Sequence, residues 1–82
     1  MAVYLIIEET TNIHDEKDIE YHGICNSYES AYDYVARWFK DNNNKTDLTT
    51  GFSQEGTVIY PKSLGGYHCF ILHQLEVLEP LG

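Results

Sequence analysis

Asn26-Ser27-Tyr28-Glu29-Ser30-Ala31-Tyr32-Asp33-Tyr34-Val35-Ala36-Arg37-Trp38-Phe39-Lys40 is the stretch on which the fold turns. Tyr28, Ala31, Val35, Trp38 and Phe39 recur at helical intervals and form one apolar stripe. Asn26 or Ser27 supplies an N-cap, and Glu29 stands at capping-box spacing from Asn26. Glu29 and Asp33 lie toward the N-terminus, Arg37 and Lys40 toward the C-terminus, the order that suits the helix dipole. Asp33 and Arg37 are also an (i, i+4) pair. The pattern predicts one amphipathic helix over about residues 28–40. Asp41-Asn42-Asn43-Asn44-Lys45-Thr46 ends it and opens a polar loop expected to run to about Gly56.

Strand signals flank the helix. Val3-Tyr4-Leu5-Ile6-Ile7 is β-branched and aromatic, and it is apolar on both faces until Glu8, as a central strand would be. Asp18 to Cys25 reads as a second strand, with Ile19 and Tyr21 on one face and Glu20 and His22 on the other. Gly23 puts Ile24 out of phase, so a bulge or bend is expected there. Thr57-Val58-Ile59-Tyr60 is a short strand ended by Pro61, and Gly65-Gly66 offers a turn. Tyr67 to Glu79 is the final strand, stopped by Pro80. The expected fold is α+β: a small antiparallel four-stranded sheet with one helix on one face, in the order β-β-α-β-β. Residues 1–82 are expected to form a single domain. A sheet order of 2-1-4-3 puts the two most apolar strands at the centre.

The formal charge of −8 is unevenly placed. Glu8, Glu9, Asp15, Glu16, Asp18, Glu20, Glu29 and Asp33 face Lys17 alone, a balance of −7 before Tyr34. Direct nucleic-acid binding is disfavoured, because a phosphate backbone asks for a basic patch. A basic protein or a cation is the electrostatic complement. The opening residues lack a basic n-region, and nothing approaches the length of a membrane span, so a cytoplasmic protein with no membrane partner is expected. Cys25 and Cys69 make no disulfide framework and read as reduced thiols.

Candidate chemistry is sparse. His14, His22, Cys25, His68, Cys69 and His73 are the possible soft or borderline ligands. Strand alternation sends His22 and Cys25, and likewise His68 and Cys69, to opposite faces, so a shared zinc site would need the bend at Gly23. No metal or cofactor is therefore assigned. A Cys25 nucleophile needs a convergent histidine and a pocket, and Ser27 is already placed at a helix cap. The acids do not follow an EF-hand spacing. No catalytic residue is expected.

Val3-Tyr4-Leu5-Ile6, His22-Gly23-Ile24 and Ser27-Tyr28-Glu29-Ser30-Ala31-Tyr32 resemble a loose group of small uncharacterised bacterial and phage proteins. There an opening strand is followed by a G-(V/I)-x-x-S-x-E-x-A segment leading into the helix. The resemblance spans roughly the first forty residues. It implies strands with one helix, and no catalytic residues.

The aromatics point to a surface. Seven tyrosines are more than one small core needs, and Tyr is favoured at interfaces. One helix covers only one sheet face. The uncovered face is expected to carry Tyr4 and Ile6, with Phe70 and Leu72. The expected function is a non-enzymatic interaction module of phage or prophage type, accessory or inhibitory. It would bind a basic protein, or form a homodimer, through Tyr4, Glu16, Asp18, Glu20 and Tyr21. The alternative is a small metal- or ligand-binding domain using the His and Cys residues.

Overall fold

The chain's opening run forms β1, Ala2–Thr11, long enough to pair along both edges. The structure is a computed structural model describing residues 2–76. After β1 come β2 (Lys17–Cys25), α1 (Tyr28–Asn43), β3 (Leu48–Ser53), β4 (Gly56–Pro61) and β5 (His68–Glu76). A 3₁₀ segment at Lys62–Tyr67, broken at Gly65, joins β4 to β5. The sheet is antiparallel throughout, in the order β2-β1-β5-β4-β3. The α+β class and the neighbour order are as expected, but the sheet has five strands. The supposed loop before Gly56 contains β3, which pairs with β4 from Leu48↔Pro61 to Ser53↔Gly56. Gly56 has a φ of 149°, and a Cβ there would drive into the Leu72 carbonyl of β5. The final part of the expected last strand, from Val77 to Glu79, and the stop at Pro80 lie outside the described residues.

α1 begins where Ser27 Oγ accepts from the Ser30 amide at 3.1 Å. It ends at Asn44 in the left-handed region (φ 52°), where the Asn44 and Lys45 amides donate to the Lys40 and Phe39 carbonyls. Asparagine tolerates that conformation better than most residues, which is why the Asn run stops the helix. Arg37 pairs with Asp33 at 2.7 Å on the exposed side. No helix among the described residues is long and apolar enough to cross a membrane.

The helix packs on the face of Tyr4, Ile6 and Glu8. The core is Ile6, Ala31, Val35, Phe39, Ile59, Phe70 and Leu72, with Tyr4, Tyr28 and Trp38 against it. This reverses the expected face: Tyr4, Ile6, Phe70 and Leu72 lie under the helix, not away from it. The reason is Glu8, which shares their face and is buried, although a carboxylate ordinarily marks the solvent side. Val3, Leu5 and Ile7 occupy the other face. There the register places Leu75, His73 and Ile71 beside them on β5, and Ile24 and Tyr21 beside Leu5 and Ile7 on β2.

The expected irregularity at Gly23 is real. Ile6 pairs with Gly23 but Ile7 pairs with Tyr21, leaving His22 without a partner on β1. Gly23 takes a φ of 137°, open to glycine and hard for other residues. The bulge resets the alternation, so Ile24 joins Ile19 and Tyr21 while Cys25 turns to the helix side.

Phe39 is fully buried and packs edge-on to Trp38, His68 and Phe70 with ring centroids 5.1–5.4 Å apart. Replacing it with alanine removes the centre of a thin core. Phe39→Ala is expected to cost about 3–5 kcal/mol, much of a small domain's stability, read from the midpoint of urea unfolding.

Candidate functional site

Beneath α1, the carboxylate of Glu8 is gripped by two imidazoles. His22 Nε2 donates to Oε1 at 2.8 Å and His68 Nε2 donates to Oε2 at 2.7 Å. The far nitrogen of His22 meets the Tyr34 hydroxyl at 2.6 Å, and that of His68 faces the Asn43 amide at 3.5 Å. With Nε2 carrying the proton on each ring, Tyr34 Oη–H and Asn43 Nδ2–H donate to the two Nδ1 atoms. The chain Tyr34–His22–Glu8–His68–Asn43 is then consistent from end to end.

Four elements bring these groups together. β1 carries Glu8, the β2 bulge aims His22, β5 opens with His68, and α1 supplies Tyr34 and Asn43. Trp38 closes the site, edge-on to His22 at 6.2 Å and to His68 at 5.2 Å. Phe70 lies 5.1 Å from the His22 ring. A carboxylate in such surroundings would be costly unless its oxygens were bonded. Both are, and among the described residues no buried side-chain polar atom lacks a partner.

The residues expected to bind a partner do not form one cluster. Tyr4 sits under the helix, 6.0 Å from the Tyr28 ring. Tyr21 is 67% exposed on the opposite face. Asp18 and Glu20 point to the helix side of β2, across from Thr10 and Glu8. Glu16 lies in the β1–β2 turn, where its carboxylate accepts from Asn12 Nδ2 at 3.3 Å. The turn is built on Asn12, whose side chain accepts from the His14 and Glu16 amides.

Sequence reasoning weighed His22 with Cys25, and His68 with Cys69, as zinc ligands, counted Glu8 among the acids, and joined neither histidine to it. The one available signal was His22 beside the bulge, since bulges re-aim side chains. The bulge does put His22 and Cys25 on one face, but both His22 nitrogens are engaged, so Cys25 gains no base there. Cys69 is on the other face. Burial, helped by the nearby Glu9 carboxylate, pushes its thiol up to about 11. His73 donates from Nδ1 to the Glu55 carbonyl, and His14 is exposed in the turn.

No protein-family model matches the chain, and no curated protein and no solved structure matches it.

Two outcomes follow. Glu8→Gln keeps the shape but turns an amide N–H₂ toward one imidazole donor, so it is expected to cost about 1–3 kcal/mol in urea unfolding. In a Cys25→Ser background, Cys69 is expected to react slowly with a disulfide reagent at neutral pH and to accelerate only as pH approaches about 11.

Proposed function

We propose that this chain is a non-enzymatic protein-interaction module whose partner is a basic protein with an apolar centre, docking on the helix-free face of β2, β1 and β5. The observation that carries this is the exposure of large apolar side chains there. Tyr21, Ile24 and Ile19 are 67%, 61% and 55% exposed. Val3, Leu5 and Leu75 continue the patch across β1 and β5. Contiguous apolar surface of this kind ordinarily marks an interaction site.

Charge favours a basic partner over a second copy. β1 and β2, two of the three strands presenting the patch, lie in the part of the chain that carries −7 before Tyr34. Two copies meeting on this face would bring like charges together. Glu16, Asp18 and Glu20 line the β1–β2 turn and the free edge of β2, where they attract a basic partner during approach. Tyr21 serves as an anchor; Tyr4, under the helix, does not. The phage or prophage setting rests on the resemblance of the opening residues to small proteins of that origin.

The test is affinity capture with the wild-type chain and Tyr21→Ser/Ile24→Ser in parallel, both checked for unchanged thermal unfolding, then kinetics on the purified pair. The expected result is a basic protein retained by the wild type and lost by the variant. Its association should slow with added salt and with neutral residues at Glu16, Asp18 and Glu20, while Tyr21→Ser alone speeds dissociation. Equal retention by both chains would overturn the docking face. A dimer in sedimentation that the variant abolishes would put a second copy on it instead.

A further inference from the structure

We propose that Glu8, Glu20 and His22 form a binding site for a divalent first-row transition-metal ion, on the side of the sheet opposite the docking face and sharing only Glu20 with its acidic edge. Two carboxylates and an imidazole offer ligand atoms that all lie within 4.8 Å of one another. Glu8 Oε1 and His22 Nε2 are already 2.8 Å apart. Adjacent ligands on an ion with bonds of about 2.0–2.2 Å stand roughly 3–3.5 Å apart, so that hydrogen-bonded pair has to open by only a few tenths of an ångström to share one coordination sphere. Glu20 is exposed on the edge strand, across from Glu8, and completes the set by a side-chain rotation.

Three further features support an ion at this place. Among the described residues no lysine or arginine pairs with Glu8, Glu20 or Asp18, and the two groups bonded to the Glu8 carboxylate are imidazoles. A recess of about 250 Å³ lined by Glu8, Thr10, Asp18, Ile19 and Glu20 gives the two carboxylates access to solvent. Finally, the groups behind the ligands can hold them in the bound arrangement. When Nε2 of His22 takes the metal, its proton moves to Nδ1, and Nδ1–H donates to the Tyr34 oxygen, whose hydroxyl turns outward. The proton stays on the ring. Glu8 Oε2 keeps its bond from His68 Nε2 while Oε1 turns to the metal. Tyr34 and His68 are positioning residues of the kind that orient metal ligands elsewhere.

The imidazole decides the class of ion. Calcium and magnesium favour all-oxygen sites, whereas zinc, iron and cobalt accept nitrogen with carboxylate. The network is satisfied without metal, so the ion adds to a folded chain.

Titration of untagged protein with Zn²⁺ by calorimetry tests this, with Ca²⁺ as the contrasting ion. The expected result is one Zn²⁺ per chain, no comparable Ca²⁺ binding, and a shift of the His22 ring from the Nε2–H to the Nδ1–H form in ¹⁵N NMR. Glu20→Gln, an exposed change checked for unaltered folding, should weaken Zn²⁺ binding roughly tenfold or more, and Tyr34→Phe by roughly ten- to a hundredfold. His14→Asn should leave it unchanged. Absence of stoichiometric Zn²⁺ binding, undiminished binding by Glu20→Gln, or loss with His14→Asn would each overturn the site.

Discussion

Among the described residues one helix has to serve five strands, and the rest of the structure follows from that disproportion. Four strand spacings make a sheet about 19 Å across. A helix with its side chains is about 10–12 Å wide. α1 therefore roofs the centre of one face and leaves the other side of the sheet without a helix. The core is correspondingly thin, and Phe39, Phe70 and Trp38 stack edge-on to fill it where aliphatic residues alone would leave too little burial. The face without the helix keeps apolar residues because β1 and β5 are central strands, apolar on both sides. Among the described residues the tip of the β3–β4 hairpin reaches this face and lines a recess there with Val58, Cys69 and Ile71. The β2 side of that face is left with Ile19, Tyr21 and Ile24.

Toward the C-terminal end of the helix, the site is polar rather than apolar. A carboxylate there is not explained by its own stability, since buried charges are retained at a cost. What Glu8 contributes is geometry. Each oxygen is matched to one imidazole, each imidazole reaches a group on α1, and the two histidines come from strands on either side of β1. An aliphatic residue in its place would pack against the same rings but would set no distances among four elements. Imidazoles suit this position better than lysine or arginine, because a flat ring packs against Trp38 and Phe70, edge-on to both for His22 and edge-on to Trp38 but stacked on Phe70 for His68, while a nitrogen at each end bonds.

The helix was legible in the sequence because one period governs Tyr28 to Phe39 and its cap residues act locally. β1, β2, β4 and β5 were legible from β-branched and aromatic runs. β3 was not. Leu48-Thr49-Thr50-Gly51-Phe52-Ser53 follows an Asn-rich run, contains a glycine, and as an edge strand needs an apolar residue on one side only. The face of β1 was misassigned for a different reason. Its alternation is apolar on both sides and so names no buried face, and the single acid, Glu8, lies on the face that the helix buries. Burial of Glu8 depends on His22 and His68, which are 14 and 60 residues away in the chain. No local pattern carries that information.

The bulge at His22 joins the two surfaces of β2. Unbroken alternation would have sent Ile24 to the helix side and Cys25 to the open face. The extra residue instead keeps Ile24 in line with Ile19 and Tyr21, and it leaves His22 free of the ladder to reach Glu8 and Tyr34. Gly23 makes this possible, since its φ of 137° is strained for a residue with a Cβ. The exposed apolar row and the buried polar network are thus two consequences of one backbone irregularity. A change that straightened β2 at this point would move Ile24 off the open face and withdraw His22 from Glu8 together, so the register of the edge strand is held from both sides of the sheet.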